Sequence, residues 1–170
     1  EPVIAAELPD RIDEIDHCAM TPEQIGLYQA VIDRLLLQAE GEESAKGHVF
    51  AAITALKQIT NHPAAYTGDD DGLPDRSGKL ARLDEIVDSV FAAGERVVVF
   101  TQYAEWGQRM AEHLSKRTKT KVECYHGGLT RTARDQIIEN FNNTDGAAAL
   151  VLSLKAGGTG LNLTRANRVF

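Results

Sequence analysis

The chain has 170 residues, 43% of them hydrophobic and a quarter charged, which suits one globular domain, or one domain with a helical appendage. No apolar run approaches the ~20 residues that span a bilayer, and residues 1–10 lack the basic start and apolar core of a secretory signal. The net charge of −7 argues against nucleic acid at first sight, yet residues 1–78 carry 15 acidic and 5 basic side chains while residues 79–170 carry 10 and 13.

The first half reads as helical. Thr21-Pro22-Glu23-Gln24 places a capping hydroxyl before a proline at the first helical position, and Ile25, Tyr28, Val31, Ile32, Leu35 and Leu36 follow at helical spacing. A second helix is expected with Val49, Phe50, Ile53, Leu56 and Ile59 on one face, ending near Asn61-His62-Pro63, because a proline forces its predecessor out of the helical region. His62 is expected to stabilise that turn. Residues 66–78 (YTGDDDGLPDRSG) are turn formers and acids, the composition of a linker between a helical segment over 1–65 and a lobe over 79–170.

The second half changes character. Leu80, Leu83, Val87, Val90 and Phe91 predict an amphipathic helix closed by Gly94, and Val97–Phe100 a strand buried on both faces. A helix over 103–117 follows, with His113 on its surface; then a strand over 121–125, and a helix opened by Thr132-Ala133-Arg134-Asp135. Residues 148–153 predict a third strand, and Arg168-Val169-Phe170 the start of a fourth. Strands alternating with helices give an α/β fold with a doubly wound parallel sheet. Such sheets bind ligands in the loops beyond the carboxyl ends of their strands: here residues 101–103, 126–128 and 155–162.

The segment VLSLKAGGTGLNLT (151–164) is the most informative. A buried strand empties into a loop with Gly157, Gly158 and Gly160, whose amides suit an anionic oxygen, beside the Lys155 cation and the Ser153 hydroxyl. Taken alone, the same segment is equally well a tight strand-to-helix turn. Two apparent nucleotide motifs are decoys. Gly78-Lys79 mimics the end of a P-loop, but Leu80 stands where Ser or Thr is needed and no strand precedes it; Asp13-Glu14-Ile15-Asp16 mimics a metal-binding acidic box without an apolar strand leading in. The five histidines share no ligand spacing with one another or with Cys18 and Cys124, and no GxSxG elbow is present. The two distant cysteines suit a reducing compartment.

Taken together, VVVFTQY (97–103), YHGGLTRTARDQIIENF (125–141) and VLSLKAGGTGLNLTRANRVF (151–170) resemble successive blocks of the C-terminal lobe of Swi/Snf-type superfamily-two helicases. MTPEQIGLYQAVID (20–33), LKQITNHPA (56–64) and SGKLARLDEIV (77–87) resemble the helical segment and lobe entry of that family, so the likeness covers nearly the whole chain in order. The resemblance implies a RecA-like lobe that, with a first lobe of the same parent chain, sandwiches ATP and Mg²⁺ and grips duplex DNA without separating its strands. It implies phosphate contacts from Thr101, Gln102, His126, Gly127, Thr130, Arg131, Ser153, Lys155, Gly157 and Gly158, and places Gly160 and Asn162 towards the nucleotide.

Leu154 departs from the family's usual threonine, which moves or removes one hydroxyl contact. The chain has no phosphate-cradling loop or acidic box of its own, and the family's last motif, which carries the arginine that meets the γ-phosphate, lies beyond Phe170, so no hydrolysis and no bound cofactor are expected of the chain alone. The alternatives are a lobe of an RNA or duplex-unwinding helicase, and a non-catalytic module that binds partners through its acidic half. The expected partners are double-stranded DNA and the first lobe; no membrane is expected, and an exposed sheet edge invites self-association. The expected compartment is the bacterial cytoplasm, or the nucleus if the source is eukaryotic.

Overall fold

The computed structural model describes residues 12–38, 45–157 and 160–170. The first helix, α1 (Pro22–Gln38), opens with a reciprocal cap: Thr21 Oγ1 accepts from the Gln24 amide at 3.2 Å, and Gln24 Oε1 accepts from the Thr21 amide at 3.0 Å. Buried Gln24 then donates from Nε2 to the Ile59 carbonyl at 2.8 Å, satisfying an otherwise orphaned acceptor near the end of α2 (Ala45–Asn61). The two helices pack around Val31, Ala52 and Ile59, with Leu27, Tyr28, Leu35 and Leu56 alongside. The apolar faces are narrower than the sequence suggests. Ile25, Leu36, Val49, Phe50 and Ile53 are exposed, because a two-helix pair buries one stripe of each helix and no third element covers the rest among the described residues.

Pro63 starts the short helix α3 (Pro63–Thr67), and His62 caps it by accepting from the Ala64 amide at Nδ1. With Nδ1 accepting, Nε2 donates to the Leu73 carbonyl at 2.9 Å, and the ring stacks on Trp106 with centroids 4.9 Å apart. Burial holds the His62 pKa below the ordinary imidazole value, so the ring stays neutral in this role. The expectation for this turn is met.

The acidic stretch before α4 (Gly78–Ala92) is folded against its neighbours. Arg76 bridges Glu23 and Asp69 at 2.7 Å each and also reaches the Gly72 carbonyl; these bonds hold the Glu23 and Asp69 carboxyls below their usual range. Arg109 donates to the carbonyls of Ala64 and Asp69, and Ser77 Oγ to that of Asn61. Gly78 is needed here for space, since a Cβ at this position would stand 2.0 Å from the Ala19 carbonyl oxygen. Gly78→Ala is therefore expected to destabilise the protein by about 1–3 kcal/mol, read as a lowered denaturation midpoint; an unchanged midpoint would show that residues 12–20 can give way.

Beyond α4 the chain runs β1 (Arg96–Thr101), α5 (Ala104–Thr118), β2 (Glu123–Tyr125), α6 (Arg131–Asn143), β3 (Ala148–Ser153), α7 (Leu154–Gly157) and β4 (Arg168–Val169). The sheet order is β2-β3-β1-β4, and every pair is parallel. Side-chain alternation sorts the two cores. Val97, Val99, Ala149 and Val151 face α4 and α5, whereas Val98, Ala148, Leu150 and Leu152 face α6. The doubly wound α/β expectation holds, with β4 as an exposed edge.

Two local expectations fail. Thr130, not Thr132, caps α6, accepting from the Ala133 amide at 3.2 Å; the Thr-x-x-Asp match lay one half-turn too late. His113 is not a surface residue. Its Nε2 lies 2.9 Å from Asp84, which Arg117 also reaches, so the imidazole pins α5 to α4 in a spot that helical spacing alone left facing out.

Candidate nucleic-acid interface

Because all strands are parallel, their carboxyl ends lie along one edge of the sheet. Thr101 at the tip of β1 pairs directly with Ser153 at the tip of β3, and Tyr125 pairs with Leu152, which puts His126 level with Ser153. Thr101, Ser153 and His126 thus form one row across three adjacent strands. Gln102 extends it as an exposed side chain, while Thr101 and Ser153 are buried residues at 6% and 4% exposure. Exposed Lys155 follows on α7 directly after the tip of β3.

Two helices begin at the same edge. α5 starts after Tyr103, which makes no side-chain cap, and α6 starts after Thr130. The first-turn amides of both helices therefore face the side from which an anion would approach. Gly107 lets α5 sit close to the sheet, since a Cβ there would come within 3.0 Å of both Cys124 Sγ and Thr101 Cγ2. Burial pushes the Cys124 thiol up to about 11, so it is a packing group beneath the row rather than a nucleophile.

His126 is held by two neighbours. Its Nδ1 accepts from the Gly128 amide at 3.2 Å, so in the neutral ring the proton sits on Nε2, 2.8 Å from the Gln108 side-chain amide. The Gln108 atom at that distance is Nε2, and turning the amide end for end brings its oxygen to accept from the ring N–H. Gln108 escaped the sequence reading, and its signal was its place one turn into the helix that follows the first tip loop.

The remaining sequence-derived residues divide. Gly127 and Thr130 are exposed at the same edge, with Thr130 spending its oxygen on the cap. Arg131 is exposed and lies 3.9 Å from Asp135, too loose to hold its guanidinium. Gly157 ends α7, and Gly158 lies outside the described residues. Gly160 takes a left-handed backbone with φ of 52°. Asn162 does not join the row: its carbonyl accepts from Asn142 Nδ2 at 3.0 Å, at the end of α6 that meets the start of β1. Among the described residues no three carboxylate, histidine or cysteine side chains gather to hold a metal ion.

What the row offers is hydroxyls, amides and a few cations at one open edge, and among the described residues it brings no base and nucleophile together. Residues 78–170 match the family described as the helicase conserved C-terminal domain. The chain is also similar, at 36% identity and a TM-score of 0.80, to the Sulfolobus solfataricus SWI2/SNF2 ATPase C-terminal domain, covering 89% of this chain and 67% of that one. It belongs to the Swi/Snf branch of the helicase C-terminal lobes.

A second solved structure, the Sulfolobus solfataricus SWI2/SNF2 ATPase core in complex with dsDNA, matches at 33% identity and a TM-score of 0.79, covering 89% of this chain and 32% of that one. Among curated proteins, the putative ATP-dependent helicase/translocase YwqA of Bacillus subtilis is 34% identical over 98% of the chain, and human DNA excision repair protein ERCC-6 is 27% identical over 98%. The chain spans 18% and 12% of the lengths of those two relatives. The fold seen here, a parallel four-stranded sheet between helices, is that of a Swi/Snf C-terminal lobe.

Proposed function

We propose that this Swi/Snf lobe is the second motor lobe of an ATP-dependent double-stranded-DNA translocase, and that its row of strand tips carries the DNA. The observation that bears most weight is the Thr101–Ser153–His126 register, which aligns three tip loops along one open edge. Similarity to a SWI2/SNF2 core whose structure contains dsDNA supports duplex DNA as the ligand. A motor that tracks any sequence should hold phosphates rather than base edges, and hydroxyls, amides and lysines are phosphate-binding groups.

In this reading Gln102, Gly127, Arg131, Lys155, Gly157 and Gly158 meet the phosphate backbone directly. Thr101 and Ser153 shape the tips from beneath, Thr130 orients the α6 amides, and Gln108 fixes His126. ATP and Mg²⁺ are held chiefly by the first lobe of the parent chain, with Gly160 and Asn162 on the closing face. The parent would work where DNA is kept, the bacterial cytoplasm or a nucleus, and in isolation the β4 edge would favour self-association.

The test is the ATPase of the full-length protein with duplex DNA or RNA added. Stimulation by duplex DNA, steeply weakened by salt, is expected; stimulation by RNA alone would move the assignment to an RNA helicase lobe. The isolated chain is expected to hydrolyse no ATP above background, and turnover by it would overturn the two-lobe account.

A further inference from the structure

We infer that the phosphate track does not stop at the strand tips but continues onto the helical segment, through a subsite formed by Lys57 and Lys79 with Thr60 and Asn61. The inference rests on the DNA-motor reading above and names residues outside its strand tips. A cleft of about 300 Å³ opens beside the tip of β1, with Lys57, Thr60 and Asn61 from the last turns of α2 and Lys79 from α4 on one side, and Thr101 and Gln102 on the other. No aspartate or glutamate lines it.

That absence is informative in a chain of net charge −7 whose first 78 residues are strongly acidic. Several cations elsewhere are neutralised in place: Arg76, Arg82, Arg117 and Arg168 each sit on a carboxylate at 3.0 Å or less. Lys57 and Lys79 have no such partner among the described residues, and the nearest acceptor to Lys79 Nζ is the Asn61 amide oxygen at 3.4 Å.

The position of Lys79 sharpens the point. It lies in the first turn of α4, where the helix dipole favours an acid, and that turn contains none. A cation there raises the energy of the helix terminus unless an anion sits beside it. The floor of the cleft, which includes Leu83 and Met110, is apolar, and low-dielectric walls around like charges focus their field outwards. Because the cleft is continuous with Thr101 and Gln102, the anion it fits is the next phosphodiester along the same nucleic-acid strand.

The experiment uses the full-length protein and a short DNA duplex, comparing Lys57→Gln/Lys79→Gln with Gln102→Ala and with Lys119→Gln. Lys119 is an exposed cation at the far end of α5 and serves as the control for bulk charge. The double variant is expected to bind duplex at least about tenfold more weakly, and the slope of log K against log salt to fall by about 2. The unstimulated ATPase should be unchanged, and the melting temperature should not fall, since the variant takes a cation away from the first turn of α4. An equal loss from Lys119→Gln would reduce the effect to net charge and overturn the inference. Normal binding by the double variant with weakened binding by Gln102→Ala would overturn the subsite and leave the strand-tip interface standing; normal binding by both would remove both. Acetylation of Lys57 and Lys79 with and without duplex gives a second readout. Protection by DNA is expected, whereas protection before DNA is added would show the cleft to be covered by protein and would overturn the inference.

Discussion

Replacing Arg96 with alanine is expected to lower the stability of the protein by about 3–4 kcal/mol. Arg96 begins β1 and is buried at 4% exposure, yet it faces no carboxylate. Its guanidinium donates instead to main-chain carbonyls where α6 ends: Phe141 at 2.6 Å, Asn142 at 3.1 Å, Thr144, and Gly146 at 3.2 Å. These are acceptors that a helix terminus leaves orphaned, and a cation at that end also meets the favourable pole of the helix dipole.

Alanine would leave several of these carbonyls without a donor and open a void beside Phe141, whose ring lies 6.0 Å from the guanidinium carbon. A loss of about 3–4 kcal/mol corresponds to a fall in melting temperature of about 10 °C for a chain of this size. Arg96→Lys should recover part of it, since one ammonium cannot span four acceptors. A midpoint within a degree or two of the parent would mean that water replaces the guanidinium at no cost.

Arg96 also marks where the sequence stops being legible. A reader of residues 96–101 sees an apolar strand with a polar first residue, and nothing local says that this side chain turns inwards to close a helix 45 residues later. The sheet itself was readable, because the unbroken apolar runs of Val97–Val99 and of residues 148–152 are a local signal that burial on both faces imposes. The tip loops were readable for the same reason: a parallel sheet fixes which strand ends share an edge once the strands are placed.

The partners across elements were not. His113 on Asp84, Gln108 on His126, Gln24 on the Ile59 carbonyl and Arg76 between Glu23 and Asp69 all join positions distant in sequence or in role, and no spacing rule encodes them. The same holds for the exposed Val49, Phe50 and Ile53, whose helical spacing is that of a buried face without a neighbour to bury it.

Lys155→Ala in the full-length protein carries the largest expected functional effect. Lys155 is exposed, stands directly after the β3 tip, and has no carboxylate partner among the described residues, so its charge is free to meet a phosphate. A charge-assisted hydrogen bond of this kind contributes about 1.5–3 kcal/mol, which is roughly a 10–100-fold loss in duplex affinity. DNA-stimulated ATPase at subsaturating duplex should fall by a similar factor, while the basal rate, which needs no DNA, should hold. Lys155→Arg should keep most of the stimulation because the charge remains.

Ser153→Ala makes the useful contrast. Ser153 is a buried residue, at 4% exposure, beneath the same loop, so removal of its hydroxyl should change affinity less than the loss of Lys155 does. An equal fall of basal and stimulated rates in Lys155→Ala would instead assign that lysine to the nucleotide side of the lobe. The tip row would then have to hold DNA through amides and hydroxyls alone, and its binding would lose about one unit less of salt slope than the lysine predicts.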